Sequence, residues 1–256
     1  MQLWIQIYTF IVGALIGSFL NVVVYRVPRE ESISFPPSHC PHCQYRLKVY
    51  DLVPMFSYLF LKGRCRNCGE RISLRYPMVE AVSGCLFLYT LLTFGLTWQS
   101  LQYVAILSIL LAIFLIDYDH MIIPDGLNLG VLLVAMVGFV LSVTLEGAPW
   151  GAVLDSVLGL LLGGGLFLLI AVVTNGAMGG GDIKLMGALG FFFGVMDTLM
   201  LIFFSFTLGG LLSVLLIALK IKKRKDYIPF GPFICLAAAV TIFWGDAIYQ
   251  WYFSVL

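Results

Sequence analysis

Charge is what this 256-residue sequence has least of. Only 11% of its residues are Asp, Glu, Lys or Arg, whereas 61% are apolar or aromatic. Soluble globular domains carry roughly 25% charged and about 45–50% apolar residues. A water-soluble globule of this size could not bury so much hydrocarbon, so the composition excludes soluble enzymes and nucleic-acid-binding proteins. It predicts a polytopic membrane protein.

Basic residues are absent from the first 25 positions, so the first apolar segment, Leu3–Tyr25, lacks the positive start of a cleaved signal peptide. We expect a retained spanning helix there. The sequence also lacks internal repeats and the Gly-rich nucleotide loop of soluble proteins. Gly163–Gly165 lies inside an apolar run, where close helix packing is the expected role.

Apolar runs long enough to cross a bilayer, about 20 residues each, recur along the chain. Residues 81–116 are uncharged and predict two spans joined by a turn at Gly95–Ser100. Asp197 interrupts a 39-residue segment, which predicts two short spans around a turn near Gly194–Thr198. The runs that predict single spans are Leu3–Tyr25, 126–145, 156–181 and 231–251. The prediction is an all-α polytopic membrane protein with about eight transmembrane helices.

The positions of the basic residues predict an orientation. Nine of the fifteen lie between Arg26 and Arg75, and the others are Lys184 and five residues at 220–225. With eight spans and both termini outside, all fifteen fall on one face, and basic loops stay in the cytoplasm. A single span over 183–219 would instead export the cluster at 220–225. The expected domains are helix 1 at 1–27, a cytoplasmic domain at 28–75 and a seven-helix membrane domain at 76–256.

Two Cys-x-x-Cys pairs lie in this loop, Cys40 with Cys43 and Cys65 with Cys68, with 21 residues between them. The loop is too short to hold a hydrophobic core alone, and each tight turn directs two sulfurs at one ion. Disulfides are rare in the reducing cytoplasm. The spacing therefore predicts one structural zinc ion per chain, bound by four thiolates, and the alternative is a set of free thiols.

The remaining candidate metal ligands have simpler interpretations. His39 and His42 flank the first pair, but four cysteines already fill a tetrahedral shell, so both are expected at the surface. Cys85 and Cys235 lie in apolar helices and are expected to be small core residues.

Carboxylates are costly in hydrocarbon and tend to mark function there. Two groups of them are predicted near the cytoplasmic face: Asp117–Asp125, with the sequence DYDHMIIPD, and Gly176–Lys184, which ends in GGGDIK. Asp117 and Asp182 could therefore meet. A pair of carboxyls can hydrolyse an amide without a nucleophilic side chain, because the ionised one takes a proton from water while the protonated one donates to the carbonyl oxygen.

Helix dipoles would influence which of the two carboxyls is ionised. Asp182 is expected at the start of a helix, where the positive end of the dipole favours the carboxylate, and Asp117 at the end of one, where the negative end disfavours it. The run Gly179–Gly181 leaves the backbone beside Asp182 accessible to an extended peptide. In the alternative interpretation, Asp125 and Asp182 are helix N-caps; we favour the cap for Asp125 and not for Asp182. Asp119, two residues after Asp117, is expected at the surface or in an orienting role.

These motifs together resemble the type IV prepilin peptidases, as do Gly17–Pro28 (GSFLNVVVYRVP) and Ile72–Glu80 (ISLRYPMVE). The resemblance covers nearly the whole chain. It implies an aspartic protease of the GxGD class, with Asp117 and Asp182 as its catalytic pair, in the bacterial inner membrane. It also implies that the enzyme removes the basic leader from prepilins or pseudopilins and methylates the new N-terminal residue with S-adenosylmethionine.

The resemblance leaves several assignments open. Supporting active-site residues are Gly179, Gly181, Lys184 and Asp119. Candidates for substrate or cofactor contacts are Asn21, Arg26, Arg75 and Glu80, and structural pairing of either arginine with Glu80 is the alternative. The basic loop is expected to bind anionic membrane lipids. Two other functions are considered. One is a transporter that relays protons or ions; transporters often show two related halves, which this sequence lacks. The other is a membrane scaffold whose zinc domain binds partners.

Overall fold

The computed structural model describes residues 2–147, 149–176, 178–221 and 227–255. Among these residues the regular elements are helices, with isolated bridges and no strands, so the predicted all-α fold is confirmed. The α-helices are α1 (Leu3–Arg26), α2 (Phe56–Phe60), α3 (Arg75–Phe94), α4 (Trp98–His120), α5 (Asp125–Glu146), α6 (Trp150–Val173), α7 (Gly180–Ala218) and α8 (Gly231–Val255). All but α2 are long and apolar enough to cross a membrane. Lys222, Lys223, Arg224 and Lys225, from the predicted basic cluster, lie outside the described residues.

The chain forms two compact units, Met1–Ala112 and Ile113–Leu256, and the boundary between them falls within α4. In the first unit α1 packs against α3. A Cβ at Gly17 would lie 2.8 Å from the Cα of Glu80, and the Ser83 hydroxyl donates a hydrogen bond to the Gly13 carbonyl at 2.7 Å. Small residues thus let the two backbones approach closely, which is the packing mode favoured between helices in membranes.

In the second unit α7 is interrupted at Gly194, whose φ of 71° and ψ of −172° are not helical. The Thr198 hydroxyl, one turn after Gly194, lies 3.5 Å from the carbonyl oxygen of Gly190, one turn before it. Eight residues of continuous helix would span about 12 Å. The chain therefore reverses at Gly194, within the turn predicted at Gly194–Thr198. Asp155 of α6 accepts the N–H of Val195 at 3.1 Å, which gives the second half of α7 a partner for one of its free N–H groups.

Glycines explain how α6 lies against α7. A Cβ at Gly159 would collide with the carbonyl oxygen of Gly190, and one at Gly163 would collide with that of Met186. A Cβ at Gly164 would lie 3.3 Å from the backbone of Gly187. Close packing is therefore confirmed as the role of Gly163 and Gly164. It is wrong for Gly165, where an added Cβ would meet no described atom within 4 Å. The count of eight crossings and the outward position of both termini stay predictions.

Candidate active site and metal centre

Asp117 lies in the last turn of α4, where it is only 5% exposed. Its Oδ2 accepts the N–H of Gly231, the first residue of α8, at 2.9 Å. A Cβ on Gly231 would lie 2.6 Å from the same oxygen, so the start of α8 reaches Asp117 because residue 231 has no side chain. Asp119, two residues further along α4, is exposed, as the helical spacing predicts.

Asp182 lies in the first turn of α7, three residues after the N-cap residue Gly179. Its carboxylate accepts the N–H of Gly179. Its Oδ1 is buried and has no hydrogen-bond partner among the described residues. The N-cap alternative for Asp182 is therefore wrong in position, although the carboxylate does bind an N–H at the helix start. Of the two carboxylate oxygens, one is therefore engaged by the helix start, and the other bonds no described residue.

The two carboxylates are 65 positions apart in the sequence, yet they lie close enough for their charges to repel each other. Cys235, one turn after Gly231 in α8, lies close to both of them and is 5% exposed. The core prediction is therefore confirmed for Cys235. It is wrong for Cys85, which is exposed on α3, because a helix in a bilayer can direct an apolar face to lipid.

The Gly-Gly-Gly-Asp turn is held from the side of α5 and the loop before it. A Cβ at Gly181 would lie 2.8 Å from the Cβ of Ile123. Asn128 of α5 is 4% exposed and donates from Nδ2 to the Gly181 carbonyl at 3.2 Å. These two contacts hold the backbone next to Asp182. The sequence analysis did not identify Asn128 or Gly231. The signal for Asn128 was a single amide in an apolar helix, and the signal for Gly231 was its place in the sequence Pro-Phe-Gly-Pro.

Lys184 and Asp125 form an ion pair, with Nζ and Oδ1 2.7 Å apart and both side chains mostly exposed. Asp125 is the first residue of α5, and the N-cap residue is Pro124, which makes no side-chain capping bond. The cap expected for Asp125 is therefore wrong, because its carboxylate is directed to an ammonium group on α7. An exposed pair contributes about 0–1 kcal/mol, so its main effect is to link the starts of α5 and α7.

The sulfur atoms of Cys40, Cys43, Cys65 and Cys68 all lie within 4.8 Å of one another. The Cys40–Cys68 and Cys43–Cys65 separations are both 3.9 Å. Four sulfurs about 2.3 Å from a tetrahedral zinc ion would be about 3.8 Å apart. The cluster can therefore hold a metal ion, as the spacing of the two pairs predicted.

The thiols of this cluster cannot all ionise with equal ease. A hydrogen bond from the Asn67 side chain, together with one from the Tyr45 backbone, lowers the pKa of Cys43 to about 6. A backbone bond at Glu70 lowers the pKa of Cys68, but burial and the neighbouring thiols outweigh it and raise that pKa to about 12. A bound cation would remove this conflict by stabilising all four thiolates together.

Three of the candidates for cofactor contacts are buried and bonded within the first unit. Asn21 donates to the Tyr76 carbonyl at 3.2 Å, and Glu80 accepts the N–H of Met55 at 2.7 Å. Arg26 donates to two carbonyl oxygens, those of Ser32 at 2.9 Å and Pro36 at 2.6 Å. The guanidinium of Arg26 thus bonds backbone rather than Glu80, so that suggested pairing is wrong. The Asn21 bond joins α1 to α3, and the Arg26 and Glu80 bonds attach the loop after α1 to these two helices.

Two family descriptions and several curated proteins match this chain. Residues 11–94 match the Bacterial Peptidase A24 N-terminal domain, and residues 104–214 match the Type IV leader peptidase family. Proteins named prepilin leader peptidase/N-methyltransferase from Legionella pneumophila, Bacillus subtilis and Pseudomonas aeruginosa are each 34% identical to it. The alignments cover 93%, 96% and 95% of this chain and 90%, 97% and 92% of the relatives. No solved structure matches. The chain belongs to the type IV leader peptidase family.

Proposed function

We propose that this protein is a membrane-embedded aspartic endopeptidase. It removes the basic leader of type IV prepilins and pseudopilins and then N-methylates the new N-terminal residue. The relatives' names carry both activities, and the similarity extends over more than nine tenths of the chain. The observation that carries the peptidase half is that Asp117 and Asp182, each at a helix end, lie close enough for their charges to interact, with Ile123 packed beside both Gly181 and Gly231.

The two carboxyls divide the work of hydrolysis. Adjacent carboxylates repel when both are ionised, so the working state has one ionised and one protonated carboxyl. Asp182 takes a proton from water through Oδ1, which bonds no described residue, while that water attacks the peptide carbonyl carbon. Asp117, oriented by the Gly231 N–H on Oδ2, donates its proton to the carbonyl oxygen. The tetrahedral intermediate then returns that proton to Asp117, and Asp182 protonates the departing amine.

The backbone beside Asp182 is open to an extended substrate. Gly179 and Gly180 are both exposed, and a Cβ at Gly180 would meet no described atom within 4 Å. Gly181 packs instead against Ile123. We infer that the peptide passes on the side of Gly179 and Gly180, with Lys184 and Asp119 at the exposed edge of the site as supporting residues.

Zinc is the proposed metal of the four-cysteine cluster. Cys40, Cys43, Cys65 and Cys68 would form a closed shell with no position open to water or substrate, so the ion supports the loop rather than the reaction. For S-adenosylmethionine the observed contacts give no comparable fit. Asn21, Arg26 and Glu80 are occupied by backbone partners. These three residues and Arg75 are proposed only as candidates for contacts to the cofactor.

The proposed location is a bacterial inner membrane. The nine basic residues of 26–75 favour a cytoplasmic loop, and the parity of eight spans puts Asp117 and Asp182 on the cytoplasmic side. Prepilins or pseudopilins are the proposed substrates. The proposed domain boundaries are those predicted from the sequence, after residues 27 and 75.

Purified protein with a synthetic prepilin and labelled S-adenosylmethionine tests the whole proposal. We expect mass spectrometry to show loss of the leader and one methyl group on the new N-terminus. Omitting the methyl donor should abolish methylation and leave cleavage intact. If the protein instead carries ions across vesicles and leaves the prepilin whole, the transporter alternative replaces the peptidase.

Gly231→Ala is expected to lower kcat for leader cleavage by about 10-fold to 10²-fold with little change in KM. The new Cβ would lie 2.6 Å from Oδ2 of Asp117 and displace that carboxyl, and small misplacements at a reacting centre cost up to about 10²-fold. Gly245→Ala is the matched control in the same helix, because its Cβ would meet its nearest neighbours at 3.7 Å. Equal kcat values for the two variants would show that the Gly231 contact is unimportant.

A further inference from the structure

The segment between the two cysteine pairs directs its apolar side chains outward. Val49 is 87% exposed, Phe60 83% and Leu59 69%. The exposed apolar residues that we name the loop surface are Val49, Tyr50, Leu52, Val53, Phe56, Leu59 and Phe60. They belong to α2 and to the short 3-10 helix Val49–Asp51, which contact each other, and to the turn between them. A group of exposed apolar residues on adjoining elements is typical of an interaction site.

Polar bonds hold the loop surface in its outward orientation. The Asp51 side chain is 2% exposed and accepts the Arg66 Nε–H at 2.7 Å and the Lys48 N–H at 3.1 Å. The N–H of Met55, just before α2, is bonded to Glu80 of α3. A carboxylate is thus inside and the large apolar groups are outside, which is the reverse of a soluble domain.

Basic residues lie beside the loop surface or next to it in the sequence. The Arg66 guanidinium lies over the Tyr50 ring at 4.8 Å, the Lys48 ammonium lies 5.7 Å from the same ring, and Lys62 follows α2 by two residues. Residues 26–75 carry nine basic and four acidic side chains. Exposed aromatic groups beside cations are typical of segments that lie in a lipid interface, where Lys and Arg are attracted to anionic lipid.

We propose that the loop surface rests in the headgroup region of an anionic bilayer. The segment is joined at one end to α1 and at the other to α3, two spanning helices that pack against each other. The bilayer is therefore always within reach. A prepilin is the less favourable occupant, because, on the proposed function, its leader is basic and would be repelled by the cationic residues. The lipid contact itself does not depend on the proposed enzyme activity.

A photoreactive phenylalanine analogue at position 60 tests this proposal in the full chain. The protein is reconstituted in nanodiscs of phosphatidylcholine with or without phosphatidylglycerol, and mass spectrometry identifies the cross-linked partner. We expect lipid adducts that increase several-fold with phosphatidylglycerol and decrease at high salt, since salt screens exposed charge. The same analogue at Glu70, an exposed polar position near the second cysteine pair, should give few lipid adducts.

Other adducts would overturn the proposal. Cross-links to a second copy of the chain, or to added prepilin peptide in preference to lipid, would assign the loop surface to a protein partner. Equal lipid yields at positions 60 and 70 would mean that the surface is not inserted. As a second measurement, hydrogen exchange over residues 49–60 should slow in phosphatidylglycerol discs for the wild type and not for Leu59→Ser/Phe60→Ser. Both substituted positions are exposed, and unchanged bound metal would verify that this variant is folded.

Discussion

Asp117→Asn and Asp182→Asn are each expected to lower the rate of leader cleavage by about 10³-fold or more. An amide can neither accept the proton of the attacking water nor donate a proton to the peptide carbonyl, and general acid–base catalysis supplies about 10²–10⁴-fold. The amide is close in size to the carboxyl, and its oxygen can still accept the Gly231 N–H at position 117. The loss should therefore be chemical rather than a failure to fold.

The double variant provides a sharper measurement. Because the two carboxyls act as one unit, Asp117→Asn/Asp182→Asn should be no slower than the more impaired single variant, since effects within a catalytic unit are not additive. Asp246→Asn, which removes an exposed carboxylate elsewhere in α8, is the control and should cleave normally. Methylation of a peptide that has already lost its leader should persist in all variants. Cleavage that survives either single substitution would remove that residue from the mechanism.

Cys40→Ser is expected to lower bound zinc from about one ion per chain to nearly none. A closed site needs all four thiolates, and metal binding contributes on the order of 10 kcal/mol to the folding of small zinc domains. The loop has little apolar core to compensate, since so many of its apolar side chains are exposed. Elemental analysis of the purified protein gives the metal content, and hydrogen exchange over residues 28–75 should become much faster.

Cys85→Ser is the matched control for the metal site, because Cys85 is exposed on α3 and lies outside the four-cysteine cluster. Its metal content and loop exchange should equal those of the wild type. A Cys40→Ser protein that keeps its zinc would mean that the ion lies elsewhere. If the wild-type protein contained no metal and its loop were still protected from hydrogen exchange, the four cysteines would be free thiols, as in the alternative interpretation.

The fold class could be predicted because hydrocarbon content and the spacing of charges are properties of the chain alone. In a bilayer, a helix satisfies all of its backbone hydrogen bonds locally, so long apolar runs predict helices without knowledge of their neighbours. The cysteine cluster was predictable for a similar reason, since each pair is a local turn. Asp197 and Gly194 together predicted the interruption of α7, which the structure places at Gly194.

The contacts that complete the site were not predictable. The bond from Gly231 to Asp117 joins residues 114 positions apart, and the bond from Asn128 to Gly181 joins residues 53 apart. Both depend on which helix faces which, and apolar faces of similar composition leave that choice open. The same uncertainty produced the wrong cap at Asp125, whose carboxylate found Lys184 on another helix, and the wrong burial of Cys85.

The amino-acid order by itself determined that this chain is a membrane protein, that it is built of long apolar helices, and which side chains carry sulfur and carboxylate chemistry. These follow from local backbone bonding and from the energy of moving each side chain out of water. Tertiary structure decided which carboxylate oxygen is held and which is free, and why glycine stands at the start of α8. Those properties arise from close packing between distant segments, which no local pattern records.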